Sequence, residues 1–169
     1  TRPEGTGKVR LLIMGEAAGE WEEKERLPFR PHAQAGSILE RAFREIGIDR
    51  IHLTITNAVL WRPENNALVG KSWEASAYRV CRGVNQELIA SRQPLAIVAL
   101  GRTAFQELTG ITEVSVLNGR GMIYKSLPEY GSLPVVLTYH PSFINRGSGK
   151  GREIESGIRS EERRVGKEC

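Results

Sequence analysis

Four short apolar runs dominate this 169-residue chain: VRLLIMG (9–15), IHLTITNAV (51–59), LAIVALG (95–101) and LPVVLTYH (133–140). Each ends in a polar or glycine-containing loop. Between them lie helix-like stretches. SILERAFREIG (37–47) sets Ile38, Leu39, Ala42, Phe43 and Ile46 on one face; SWEASAYRVCRGVNQELIAS (72–91) and TAFQELTG (103–110) follow. Strands and helices alternating at these lengths predict parallel βαβ units. Asn118-Gly119 and the MIYKS segment (122–126) suggest a short hairpin ahead of the last strand.

A chain of this length, 40% hydrophobic, supports one globular core and not two. The expectation is a single domain over residues 1–158, with the natural chain cut short, because RSEERRVGKEC (159–169) resembles the translation of a sequencing adapter. No apolar run reaches the roughly 18 residues of a membrane span and TRPEGTGKVR lacks a secretory apolar region, so a cytoplasmic protein without membrane contact is expected. Cys81 and Cys169 form neither a disulfide framework nor a zinc spacing. The net charge of +4 is compatible with nucleic acid without requiring it.

In an open parallel sheet, ligands bind outside the carboxyl ends of the strands. Here those ends read GEAAGE, TN, LG and HP. The first occupies the place of a phosphate loop, yet it carries Glu16, Glu20, Glu22 and Glu23, which oppose an anion at a helix start. No GxGxxG or GxxxxGK[ST] pattern follows the first strand, which argues against a nucleotide-binding enzyme. Carboxylates, an amide and an imidazole suit a polar ring and a water molecule.

At these four ends the sequence resembles the uracil-DNA glycosylase superfamily, most closely its family-four branch, whose members often hold an iron-sulfur cluster. Gly15, Glu16, Ala17 and Gly19 match the first motif, with Ala18 in place of a proline. Further matches are Glu22; Pro28-Phe29 with Ala35-Gly36; Thr56-Asn57; Arg62-Pro63 and Asn66; Leu100-Gly101; Arg120-Gly121; and Thr138-Tyr139-His140-Pro141 with Arg146. The resemblance runs from about residue 9 to 147. Trp61 stands where cluster-bearing relatives have a cysteine, Cys81 matches one ligand position, the N-terminal pair is absent, and Ala67 replaces an arginine. A [4Fe–4S] cluster needs about four thiolates, so no cluster, metal or other cofactor is expected.

The resemblance implies a three-layer α/β/α sandwich with a short, mainly parallel four-stranded sheet, and a monomeric enzyme that hydrolyses uracil from DNA. Breaking the N1–C1′ bond leaves positive charge on the sugar and negative charge on a base flipped out of the stack. Asn57 would read the base, since a carboxamide donates to O4 and accepts from N3–H at once. Phe29 would stack on it, and Glu22 would exclude the thymine methyl. His140 would donate to O2, where charge develops as the bond breaks. Glu16 would orient water and favour the cationic sugar, with Ala17 and its small neighbours allowing close backbone approach. No lysine stands at the motif positions to form a Schiff base, so no lyase step is expected. Ser142, Phe143 and Ile144 would enter the minor groove, or serve as helix packing, while Arg146, Lys150 and Arg152 would meet phosphates. A non-catalytic DNA- or partner-binding member of the same fold is the alternative. Glu16, Asn57 and His140 together exceed what a binder needs.

Overall fold

The computed structural model describes residues 1–145. The adapter-like segment 159–169 and the basic residues Arg146, Lys150 and Arg152 lie outside them. The four apolar runs form β1 (Leu11–Ala17), β2 (Thr54–Val59), β3 (Ala96–Leu100) and, last in the chain, β5 (Pro134–Thr138). They pair in parallel in the order β2-β1-β3-β5. The sheet has five strands, however, not four: β4 (Ile123–Lys125) adds antiparallel to the edge of β5. Three residues with alternating partial exposure carry too little apolar pattern to register as a strand alone, and β4 exists because β5 offers an edge to pair with.

The expected hairpin is therefore made by β4 and β5 themselves, across residues 126–133. Asn118-Gly119 is not its turn. Those residues close the one-turn helix α5 (Val116–Gly119), whose start is capped by Ser115 Oγ accepting the Asn118 N–H at 3.3 Å.

The longer helices are α2 (Gln34–Glu45), α3 (Glu74–Arg92) and α4 (Arg102–Thr109); α1 (Glu20–Glu25) and α6 (Pro141–Asn145) are short and flank the strand ends. Alternate strand residues feed opposite faces of the sheet. Leu12, Met14, Ile97, Ala99, Val135 and Leu137 pack with Leu88 and Ile89 of α3 and Phe105 and Leu108 of α4. Ile13, Ile55 and Leu100 pack with Leu39 and Phe43 of α2 and with Phe29. Helices thus cover both faces, giving the three layers. Of the expected α2 face, Ala42 and Ile46 are exposed; Ile46 falls past the helix end at Glu45, where the chain turns at Gly47 with φ of +70° and Ile48 packs onto the cluster instead.

β2 is an edge strand, yet all six of its residues are buried. The N-terminal segment covers that edge, with an antiparallel bridge between Glu4 and Ile55, which protects a row of backbone groups that would otherwise invite pairing with another chain. On the opposite layer, Glu107 of α4 takes both Nε (2.8 Å) and Nη2 (3.0 Å) of Arg82 on α3 and the Tyr130 hydroxyl (2.6 Å), so its buried carboxylate is fully paired. Among the described residues no helix is long and apolar enough to cross a membrane.

Candidate active site

From β1 the chain crosses to β2 on one side, and from β2 it crosses back past β1 to β3 on the other, so the carboxyl ends of β1 and β3 flank the switch point where ligands enter such sheets. A cavity of about 540 Å³ opens there, lined by the end of β1, the start of α1, Phe29, the start of α4 and the turn into α6. That volume lies within the roughly 300–1,000 Å³ of small-molecule sites.

Glu16 is within β1 rather than in the loop after it, since the strand continues to Ala17. It lines the cavity half-buried, and its Oε2 accepts the Thr103 hydroxyl at 2.7 Å. Thr103, at the start of α4, spans the switch point and fixes one oxygen of the carboxylate. It belongs to none of the matched motifs, and its only signal in the sequence is its place just after the Leu100-Gly101 strand end. Ala17, Ala18 and Gly19 form the adjoining wall.

Asn57 sits in the register of Gly15, near the end of β2, fully buried. Asn85 of α3 donates through Nδ2 to the carbonyls of Asn57 and Ala58, both at 3.2 Å, and accepts the Thr56 hydroxyl at 3.3 Å. The strand carrying Asn57 is thereby held by a second buried amide that the sequence reading did not single out. The Asn57 side chain donates to Glu22 Oε2 at 3.4 Å, while its Oδ1 is buried without a hydrogen-bond partner. Leaving a buried acceptor unsatisfied costs about 1–3 kcal/mol, and recognition groups awaiting a ligand are one reason such atoms persist. Asn57 does not itself line the cavity; it touches Glu22, which does.

Glu22 is the hub of this arrangement and is only 7% exposed. Its carboxylate accepts the N–H of Gly19 at 2.7 Å, the N–H of Phe29, and the Asn57 amide. The resemblance implies a steric guard at C5; what the structure shows is an acceptor that holds the Phe29 N–H and the Asn57 amide. Burial pushes its carboxyl above the ordinary range, and the three N–H donors offset part of that rise.

The sign for folding follows from linkage. Between the ordinary carboxylate value and the raised one, the native state binds more protons than the unfolded chain. This group's contribution to stability is therefore highest below that window and falls as pH rises through it. Function runs the other way, because a protonated Glu22 cannot accept all three donors. We expect activity to show an acid limb above the ordinary carboxylate range. Glu22→Gln should abolish that limb, since it fixes the neutral state. pH–rate profiles of the two proteins check this, and an unchanged acid limb in the variant assigns it to another group.

Phe29 is 2% exposed and belongs to the α2-side core, yet it also lines the cavity. It is thus a core aromatic with one side on the cavity. A methyl on Gly15 would lie 2.4 Å from both Phe29 Cζ and Asn57 Oδ1, so the small residue at this point makes room for these two side chains. His140 follows β5 and packs on the Phe29 ring at 5.8 Å between centroids. Its Nδ1 accepts the Ser142 N–H at 3.2 Å, so the neutral ring carries its proton on Nε2. The Gly101 N–H donates to Thr138 O at 2.8 Å, tying the end of β3 to the end of β5 beside that histidine.

Ser142, Phe143 and Ile144 lie on α6 at the cavity's rim. Ser142 and Phe143 line it, and Phe143 is 48% exposed with its ring stacked on Tyr139 at 5.0 Å. The Arg120 guanidinium sits 5.7 Å from the other ring, that of Tyr139. In the sequence Tyr139 stands out only as part of the Thr-Tyr-His-Pro motif.

Cys81 is buried on α3 among Val59, Leu68 and Ala77, and its Sγ accepts the Leu60 N–H at 3.2 Å. Burial raises its thiol above the usual range. Among the described residues Cys81 is the one cysteine, against the about four thiolates that a [4Fe–4S] cluster needs. Among the described residues no group of three or more His, Cys, Asp or Glu could hold a metal ion.

The family model described as the uracil DNA glycosylase superfamily matches residues 3–160. Among similar proteins, the type-4 uracil-DNA glycosylase of Thermotoga maritima is 34% identical over 143 residues, covering 85% of this chain and 70% of its own. That of Sulfurisphaera tokodaii is 33% identical, covering 82% and 62%. That of Pyrobaculum aerophilum is 31% identical over 158 residues, covering 92% and 78%. The chain therefore spans 62–78% of the length of these relatives.

Proposed function

The chain belongs to the uracil DNA glycosylase superfamily, and from that membership we propose that it excises uracil from DNA by hydrolysing the N-glycosidic bond. The observation that carries the reading is the buried, unpartnered Oδ1 of Asn57, whose Nδ2 is held by Glu22 at the edge of a cavity that also meets Glu16 and His140. An acceptor and a donor on one amide complement N3–H and O4 of uracil, and cytosine presents the opposite pattern.

In this reading the flipped base slides against Phe29 and pairs with Asn57. His140 donates from Nε2 to O2 as negative charge develops there, a contact stronger in the transition state than before it. Glu16, with one oxygen on Thr103, uses the other to orient water toward C1′ and to face the cationic sugar. The water oxygen bonds to C1′ as the C1′–N1 pair departs with uracil, and the proton that the water loses passes to Glu16 and ends on the released uracil anion. Glu22 sits beside C5, where its buried carboxylate leaves no room for a methyl. Phe143 and Ile144 wedge the neighbouring base step, and the basic residues beyond them meet phosphates.

We take the protein to work as a monomer in the cytoplasm, and without an iron-sulfur cluster because Trp61 stands at a ligand position and Cys81 alone cannot hold one. The test is an assay of purified protein on single- and double-stranded oligonucleotides carrying uracil, hypoxanthine or a thymine mismatch. Uracil release with cytosine and thymine untouched is expected. A folded protein inactive on every deaminated base, yet retaining DNA affinity, would favour the binding-protein reading.

A further inference from the structure

Arg50 precedes β2 in a short 3-10 turn, matches no functional motif, and is 8% exposed. Its guanidinium is spent on two kinds of partner. Nε and Nη2 meet the two oxygens of Glu4 at 3.1 and 2.7 Å, and Nη1 reaches Glu40 at 3.4 Å. The remaining hydrogen bonds go to backbone: Nη1 to the Phe29 carbonyl at 2.9 Å and Nη2 to the Pro28 carbonyl at 3.1 Å.

The turn so gripped is not at rest by itself. Phe29 has φ of +45°, a left-handed conformation that a bulky side chain rarely adopts and that persists only where its surroundings impose it. Its N–H is held by Glu22 and its carbonyl by Arg50, so charged, buried groups fix the peptide on either side. Helix α2 presses on the same turn: a methyl on Gly36 would lie 2.5 Å from the Phe29 carbonyl oxygen and 2.0 Å from that of Arg30.

We propose that Arg50, backed by Glu4 and Glu40, is a positioning residue for base stacking, holding the Pro28–Phe29 turn so that the Phe29 ring stays over Gly15 and beside His140. The assignment rests on the uracil-excision reading for its consequence and on the geometry alone for the clamp. A planar five-donor fork can serve two carboxylates and two carbonyls together; an ammonium with three donors cannot. Arg50→Lys therefore keeps the charge near Glu4 and Glu40 and gives up the grip on the turn. A displacement of about 1 Å at a positioned group can cost on the order of 10²-fold in rate.

The experiment has two arms on the full chain. Single-turnover cleavage of uracil-containing duplex is measured for wild type, Arg50→Lys, Phe29→Ala and the double variant, all below their unfolding transitions. Arg50→Lys should slow cleavage by about 10–10²-fold and add little in the Phe29→Ala background, because its effect passes through that ring. Separately, amide hydrogen exchange should quicken by about tenfold or more at Phe29, with β1 and β3 amides unchanged. Multiplying losses in the two backgrounds, or unchanged exchange at Phe29, would overturn the proposal. If wild type does not cleave uracil DNA but exchange at Phe29 responds as expected, the clamp stands and the activity reading falls. Should Arg50→Lys fail to fold, Glu4→Gln, which weakens the bidentate backing without touching the turn, carries the same two measurements with smaller effects in the same direction.

Discussion

Replacing His140 with alanine should slow single-turnover uracil release by about 10²–10³-fold, the usual consequence of losing one donor to a developing anion, or about 2.7–4 kcal/mol. DNA affinity should stay nearly intact, since the contact to O2 gains its strength as the glycosidic bond breaks. The ring has structural duties that must be separated from this effect. Its Nδ1 accepts the Ser142 N–H at the start of α6, and it packs on Phe29. His140→Asn is the informative companion, because a shorter amide can still receive the Ser142 N–H while its own donor falls short of O2. Both variants should be slow if Nε2 is the donor. Wild-type cleavage by His140→Ala would remove the histidine from the chemistry, whereas a slow alanine variant beside a fast asparagine variant would assign it to α6 alone.

Asn57→Ala should be the more damaging change to recognition and among the mildest to stability. In the unliganded protein the amide makes one long bond, to Glu22, and keeps Oδ1 buried without a partner. Deleting it removes an unsatisfied acceptor along with that bond, so the denaturation midpoint should move by no more than about 1 kcal/mol equivalent. Sites built around substrate hydrogen bonds reject mismatched analogues by about 10⁴–10⁵, and a truncated Asn57 forfeits both bonds to the base. The uracil rate should fall by about 10³-fold or more, and the preference for uracil over other bases should narrow. Single-turnover rates and urea midpoints on one preparation give both numbers. A large stability loss with a small rate loss would mean that Asn57 serves β2 and not the base.

The carboxylate pair follows a similar division. Glu16 and Glu22 are six residues apart, yet one lies half-exposed on the cavity wall with a hydroxyl partner, and the other is buried under three N–H donors. The sequence offered four glutamates in this stretch without distinguishing them by environment. The family motif separated Glu16 and Glu22 from Glu20 and Glu23, and burial explains why: Glu20 is tied to Lys24 on the exposed face of α1 at 2.7 Å, whereas Glu22 turns inward.

Strand identity was legible because β1, β2, β3 and β5 are buried apolar runs whose pattern is local, and the helix-like stretches that became α3 and α4 were legible between them. The strand ends followed, since the connectivity of a parallel sheet sends its loops to one edge, and with them came Glu16, Asn57 and His140 as a set. What local pattern could not supply were the partners made across the fold. β4 is a strand only through the edge of β5; Ile46 is exposed only because the chain turns at Gly47; Phe29 is both core and cavity wall because a left-handed turn is gripped from Glu22 and Arg50. Thr103 reaches 87 positions back to Glu16, Asn85 reaches 27 to 29 positions back to β2, and Arg50 reaches 21 and 22 positions back to Phe29 and Pro28. Sequence by itself determined which polar residues stand at the strand ends, because an apolar run and the side chains that close it are local features. Tertiary structure alone decided how each is held, because a hydrogen bond between distant segments depends on register and burial that no local window contains.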